Sequence, residues 1–244
     1  MPRQAGNVLF LILIAVALFA ALAYAVTSSS RSGGSSTSKE KATANAAAII
    51  QFGTALRNSI MRVKISNGCT DTTLDLASAG YLRNSGSLGS NTNINAPSDK
   101  RCHIFDPAGG NMVAWKPPAS SLDFNNPDIA SPTALRTGHG SIVVYQVKGI
   151  GTDDPASSDL SNDLFFRIPY LKKETCLAIN DLLNVENSSN EAPSGVVTGS
   201  MGFYPNGSFA STAILDNAST NTHAAFCNVN SSGIYIFYQA LLER

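Results

Sequence analysis

The strongest pattern along the chain is a run of apolar positions with no polar interruption. Val8 to Val26 reads VLFLILIAVALFAALAYAV, without charge, Pro or Gly. At about 1.5 Å per residue, such a helix spans roughly 28 Å, close to the hydrocarbon thickness of a bilayer. A helix satisfies its own backbone polar groups, so the segment can sit in lipid. We therefore expect a transmembrane helix over 7–27. Thr27 to Ser38 (TSSSRSGGSSTS) then reads as a flexible Ser/Gly linker over 28–38, where Gly33 and Gly34 break or hinge any helix.

From Ser38 to Ile65 the pattern changes to helical periodicity. Ser38 is a capping residue, and Ile49, Phe52, Leu56, Ile60 and Val63 recur at spacings of three and four. That face calls for a partner sheet, and Asn67-Gly68 marks the helix end. The middle of the chain is rich in turn residues. Short strands are expected at His103–Phe105 and Asn111–Trp115, joined as a hairpin by Asp106-Pro107-Ala108-Gly109-Gly110. The only Trp, Trp115, reads as a packing anchor.

The C-terminal half is the clearest sheet. Ser141–Val147 and Leu164–Tyr170 read as an antiparallel pair with a long polar loop. Pro169 suggests that the second strand lies at an edge or ends there. Lys172–Val185 reads as a helix. Val196–Tyr204 and Ser208–Leu215 read as strands about the Pro205-Asn206-Gly207 turn, and Gly233–Leu242 as a closing strand. The fold class is thus α+β: an N-terminal transmembrane helix, then an amphipathic helix packed on an antiparallel sheet within an exported domain over 39–244.

Composition adds the compartment. Lys plus Arg and Asp plus Glu number 17 each, and charged residues are 14% of the chain. No basic footprint for nucleic acid exists in that balance. Of the four cysteines, Cys69, Cys102, Cys176 and Cys227, none forms a CxxC pair, which argues against a zinc ribbon or dithiol redox site. An even count in an exported chain points to two disulfides with three possible connectivities. Cys69–Cys102 and Cys176–Cys227 are favoured, each closing a loop in its own half. In the chain-entropy view, such loops contribute roughly 3–4 kcal/mol each. The alternative is four buried free thiols.

The N-terminus carries a resemblance. A short leader over 1–6 ends in Gly6, the apolar helix follows at once, and a polar domain comes after. This resembles the N-terminus of type IV pilins and the pseudopilins of secretion systems. The resemblance implies cleavage between Gly6 and Asn7 by a dedicated peptidase, a pilin-like head, and a structural role in a surface filament or type II secretion apparatus. It implies an inner-membrane, single-pass location, with the C-terminal domain in the periplasm or at the cell surface. The implied partners are the lipid bilayer and copies of itself or other pilin-like subunits. The family's usual Glu at the fifth mature position is Leu11 here, which points to a minor or non-filament member. Two alternatives stay open. Ala23-Tyr24-Ala25 fits a signal-peptidase cut before Val26. The exported domain also fits a tethered or secreted binding module whose Ser/Asn/Gly loops carry recognition.

Chemistry-bearing groups are sparse. His103, His139 and His223 show no HxH or HExxH spacing, and no GxSxG elbow occurs. Cys102-His103 is no nucleophile–base pair if Cys102 is oxidised. Asp153, Asp154 and Asp159 offer oxygens but lack EF-hand spacing. Gly149-Ile150-Gly151 precedes no helix, so it does not cradle phosphate. Asn187, Asn206, Asn217 and Asn230 each begin an N-x-S/T sequon. No acid, base and nucleophile grouping is visible, and no cofactor or metal set is expected.

Overall fold

A computed structural model describes residues 6–77, 82–83, 93–125, 142–148, 162–198, 202–203, 207, 209, 213–216, 220 and 223–243. The chain divides into two units, Met1–Lys41 and Ala42–Arg244.

Helix α1 runs Gly6–Asn67. The expected break at Gly33-Gly34 does not occur, and the separate helix expected from Ser38 is part of α1. Each glycine costs about 1 kcal/mol relative to Ala in a helix, far less than a proline. Helical sequence on both sides also spares the segment a fresh nucleation event. Among the described residues, no helix is long and apolar enough to cross a membrane. Within Val8–Val26 the described side chains are those of Ile14, Val16, Leu18, Phe19 and Ala20.

From Ala42 onward α1 buries the stripe that the periodicity marks. Ile49, Phe52, Leu56, Ile60 and Val63 are all buried, together with Ala42, Ala46 and Ser59. Gly68, at φ +66°, ends the helix in the left-handed conformation that glycine adopts without a Cβ penalty.

The strands are β1 (Leu82–Arg83), β2 (Ile142–Val147), β3 (Asp163–Leu171), β4 (Val196–Thr198), β5 (Gly202–Phe203), β6 (Ile214–Asp216), β7 (Ala225–Val229) and β8 (Tyr235–Leu242). Helix α2 spans Lys173–Leu183 and ends at Asn184 in the left-handed region. The main sheet has the order β1-β2-β3-β8-β7, with β5 also paired to β2. The four strands β2-β3-β8-β7 are antiparallel, while β1 runs parallel to β2. Strands β4 and β6 form a separate antiparallel pair.

Because side chains alternate across a strand, the sheet has two distinct faces. Val144, Leu164, Phe166, Ile168, Phe237 and Leu241 pack with the buried stripe of α1. Tyr145, Val147, Phe165, Phe226, Ile236, Tyr238 and Ala240 form the opposite face, against Val185 and Ala213. Gly53 faces the sheet where side chains of β3 and β8 press on α1. A Cβ there would lie 1.7 Å from Gln239 Oε1 and 3.0 Å from the Phe166 ring.

Three expectations need correction. His103–Phe105 and Asn111–Trp115 are not strands. The turns at Gly109 and Gly110 instead fold back on His103, with Gly110 N–H donating to His103 C=O at 2.9 Å. Pro169 is not at an edge, since β3 lies between β2 and β8. It falls within the register shift between Ile168 and Leu171, where a bulge removes the need for its missing N–H. The segments on either side of Pro205 do pair antiparallel, but only through β4 and β6, because β5, at the end of the first expected strand, joins β2 instead.

Candidate functional site

The chemically distinctive surface begins on α1. Ile14, Val16, Leu18 and Phe19 are 41%, 62%, 65% and 75% exposed. At about 100° per residue, counting from Ile14, they stand near 0°, 200°, 40° and 140° around the axis. Apolar side chains therefore point outward over an arc of about 200°, wider than the single stripe of a helix on a water-soluble core. Gly6 is the first residue of α1 and Asn7 the second. The Leu11 side chain lies outside the described residues.

In the second unit the cysteines form Cys69–Cys102 and Cys176–Cys227, with Cα–Cα distances of 5.7 and 5.4 Å. This is the favoured pairing, and among the described residues no cysteine is free. The first disulfide ties the end of α1 to the loop that follows it. The second ties α2 to β7. Cys102 is thereby removed as a nucleophile.

His103, next to Cys102, sits 3.2 Å (Nδ1 to Oδ2) from Asp75, whose carboxylate is fully buried. Asp75 Oδ1 also accepts the Ala77 N–H at 2.8 Å. Asp–His pairing orients imidazoles in hydrolases, but catalysis needs a nucleophile on the other ring nitrogen. Among the described residues, no hydroxyl or thiol is hydrogen-bonded to His103. The pair therefore joins the 70s segment to the disulfide loop, beside the bridge between Asp75 and His103. In the same loop, the Ala108 N–H and Lys100 ammonium hold the Asp106 carboxyl below its usual range.

A second cluster ties α2 to β8. Lys173 Nζ lies 2.5 Å from Glu191 Oε2, and the Tyr235 hydroxyl donates to Glu191 Oε1 at 2.6 Å. The Lys173 bond, followed by that from Tyr235, lowers the Glu191 pKa. Partial burial, followed by the Glu191 bond, raises Tyr235 to about 12.

On the sheet's other face an aromatic strip crosses four strands. Tyr145 stacks on Phe165, Phe165 contacts Tyr238, and Tyr238 stacks on Phe226, at centroid distances of 6.0, 5.5 and 5.3 Å. Arg167 donates to the Tyr145 hydroxyl at 3.0 Å, and its guanidinium carbon lies 4.5 Å from the Tyr145 ring centre. Burial raises the Tyr238 phenol, with Arg167 opposing that shift. The strip is packed interior rather than a ligand platform, since Tyr145 and Tyr238 are buried.

Among the described residues, no group of three or more His, Cys, Asp or Glu is placed to hold a metal. His139, Asp153, Asp154, Asp159, Gly149-Ile150-Gly151, Asn206 and Asn217 lie outside the described residues. His223 is half-buried. Asn187 and Asn230 serve the fold. Asn230 Oδ1 accepts the Ser232 and Ile234 N–H groups in the β7–β8 turn, and Asn187 bonds Asn180, Asp181 and the Leu177 carbonyl. Trp115 stacks on Phe52 at 4.5 Å, an anchor as expected.

The sequence reading missed Asp75, Arg167, Glu191 and Asn180. Asn180 alone left a signal, as a poor helix former in the interior of a helix. The chain matches no protein-family model, no curated protein and no solved structure.

Proposed function

We propose that the protein is a membrane-anchored, pilin- or pseudopilin-like structural subunit, processed between Gly6 and Asn7 and exported. The observation that carries this reading is the broad exposed apolar surface of α1 at Ile14, Val16, Leu18 and Phe19. Exposed to water, such a surface is a strong aggregation liability, so it calls for lipid or neighbouring apolar helices. The head supports the reading in a coarser way. An amphipathic helix on an antiparallel sheet, with two disulfides, suits an oxidising compartment outside the cytosol.

Leu11 shapes the role. With no acid at the fifth mature position, a neighbour's amino terminus finds no charge partner there. We therefore assign a minor or anchored role rather than a major filament subunit.

The test is intact mass and N-terminal sequencing of the protein from its native membrane fraction, with Gly6→Ala alongside. Processing predicts a start at Asn7, abolished in the variant. A start at Met1 leaves a simple anchored domain. A start at Val26 makes the apolar helix a discarded signal and overturns the reading.

A further inference from the structure

Among the described residues, strand β7 has a full strand partner on one side only, at the end of the sheet order, and meets just the isolated bridge between Ser194 and Val229 on the other. Backbone groups alternate in direction along a strand, so every second residue turns its N–H and C=O away from β8. On β7 Ala225, Cys227 and Val229 do so, and all four groups of Cys227 and Val229 are occupied. An open edge is a template for another chain's strand. The neighbouring sequence raises that hazard, because Ile234 to Leu242 (IYIFYQALL) is apolar, aromatic and uncharged.

At Cys227 the occupant is a side chain. The Cys227 N–H donates to Asn180 Oδ1 at 2.8 Å, and Asn180 Nδ2 donates to the Cys227 carbonyl at 2.9 Å. A carboxamide carries the same donor and acceptor as a peptide group, so Asn180 meets the edge as an added strand would. At Val229 a loop takes over. Its N–H donates to the Pro193 carbonyl at 3.0 Å, and its carbonyl accepts the Gly195 N–H at 3.2 Å. A Cβ at Gly195 would lie 1.9 Å from Asn228 Nδ2, so a larger residue there must displace the Asn228 amide.

Asn180 is held in one orientation. Its Nδ2 also donates to Asn187 Oδ1 at 2.9 Å, and Asn187 Nδ2 donates to the Leu177 carbonyl and to Asp181 Oδ1. This amide is fully buried in mid-helix, where an apolar residue would favour both helix and core. It is not needed to tether α2 to β7, because the Cys176–Cys227 disulfide already does that.

We propose that the Asn180 carboxamide, oriented by Asn187, guards the edge of the sheet: it fills the positions at Cys227 that a strand from a second copy would use, and so stops the sheet growing through β7. This goes beyond the anchor reading and does not depend on it.

The test uses the full chain in nonionic micelles, with micelles in excess over protein. Amide hydrogen exchange of residues 225–229 is followed against protein concentration for wild type, Asn180→Ala, Asn187→Ala and Ile179→Val. Ile179 is a buried neighbour that leaves the edge closed. In wild type and Ile179→Val, exchange should not depend on concentration. In Asn180→Ala it should be roughly tenfold faster at low concentration, as one backbone bond is lost. Protection should return as concentration rises, and cross-links should join the β7 strands of two copies. Asn187→Ala should give an intermediate response and decides the matter if Asn180→Ala does not fold. Concentration-independent exchange in the folded asparagine variants, or equal association by Ile179→Val, overturns the proposal.

Discussion

Removal of Phe52 should damage the head severely. It is 7% exposed and lies on the α1 face that meets the sheet. One face of its ring stacks on Trp115 at 4.5 Å with 13° between the planes, and its edge meets Phe166 at 5.9 Å and 83°. Phe-to-Ala changes in cores cost about 3–5 kcal/mol, through lost transfer energy and the cavity left behind. The two ring pairs add about 0.5–1.5 kcal/mol each beyond burial, within that range. We expect Phe52→Ala to cost about 4 kcal/mol. Phe52→Leu, which retains most of the volume but neither ring pair, should cost about 1–2 kcal/mol. The assay is urea unfolding of the full chain in mild detergent, followed by fluorescence of Trp115, the only Trp. Since that reporter stacks on Phe52, its emission should shift to longer wavelength in the folded variant. A double-mutant cycle with Trp115→Leu should give a coupling of about 1 kcal/mol. A loss below about 2 kcal/mol for Phe52→Ala, with no coupling to Trp115, would refute the view that this stack secures the middle loop to the sheet.

Other expectations follow from the same geometry. Replacing Cys176 and Cys227 together by Ala should cost about 4 kcal/mol in the chain-entropy view, and Cys69 with Cys102 slightly less, as the closed loop is shorter; chemical denaturation of the two double variants checks the order. Gly68→Ala should cost about 1 kcal/mol through its left-handed backbone alone, because a Cβ there meets nothing within 4 Å, and Gly68→Asn should cost less. The lowered Glu191 pKa implies stability present above the ordinary value of 4.5 and lost as pH falls through the lower folded value. Tyr235 implies stability present below pH 10.0 and lost as pH rises towards about 12. Urea midpoints across pH should therefore show a flatter acid limb in Glu191→Gln and a flatter alkaline limb in Tyr235→Phe, both modest because Glu191 is partly exposed.

The elements legible in the sequence were those whose one face is buried and whose length gives the pattern room. Ile49, Phe52, Leu56, Ile60 and Val63 announced their helix face through spacing alone, and all five are buried. Strands β2, β3 and β8 were visible from their β-branched and aromatic content. Strand β7 was missed because it is only five residues long and packs on both sides, so Ala225–Val229 shows no clean alternation. The false hairpin at 103–115 arose from turn chemistry that was read correctly and extended too far. Asp106 and the two glycines do turn the chain, but their hydrogen bonds return to the same loop. Pro169 misled because a central strand tolerates proline only at a bulge, and a bulge leaves no sequence mark. The groups that bind elements together, Asp75 with His103 and Asn180 with Cys227, are far apart in sequence, so local pattern carries no trace of their meeting.

The strand order has a consequence in time. Strand β8 lies inside the sheet, between β3 and β7, yet it comes last in sequence among the described strands. At 5–20 residues per second, roughly 10–35 s separate synthesis of the end of α1 from that of β8. The bridge between Cys69 and Cys102 needs none of the strands after β1, so it can close early in that interval. The bridge between Cys176 and Cys227 must wait for β7. Throughout, the stripe from Ile49 to Val63 has no completed sheet to cover it. A face that ends buried is thus made early and left waiting, and a chain built this way needs shelter for that helix until β8 arrives.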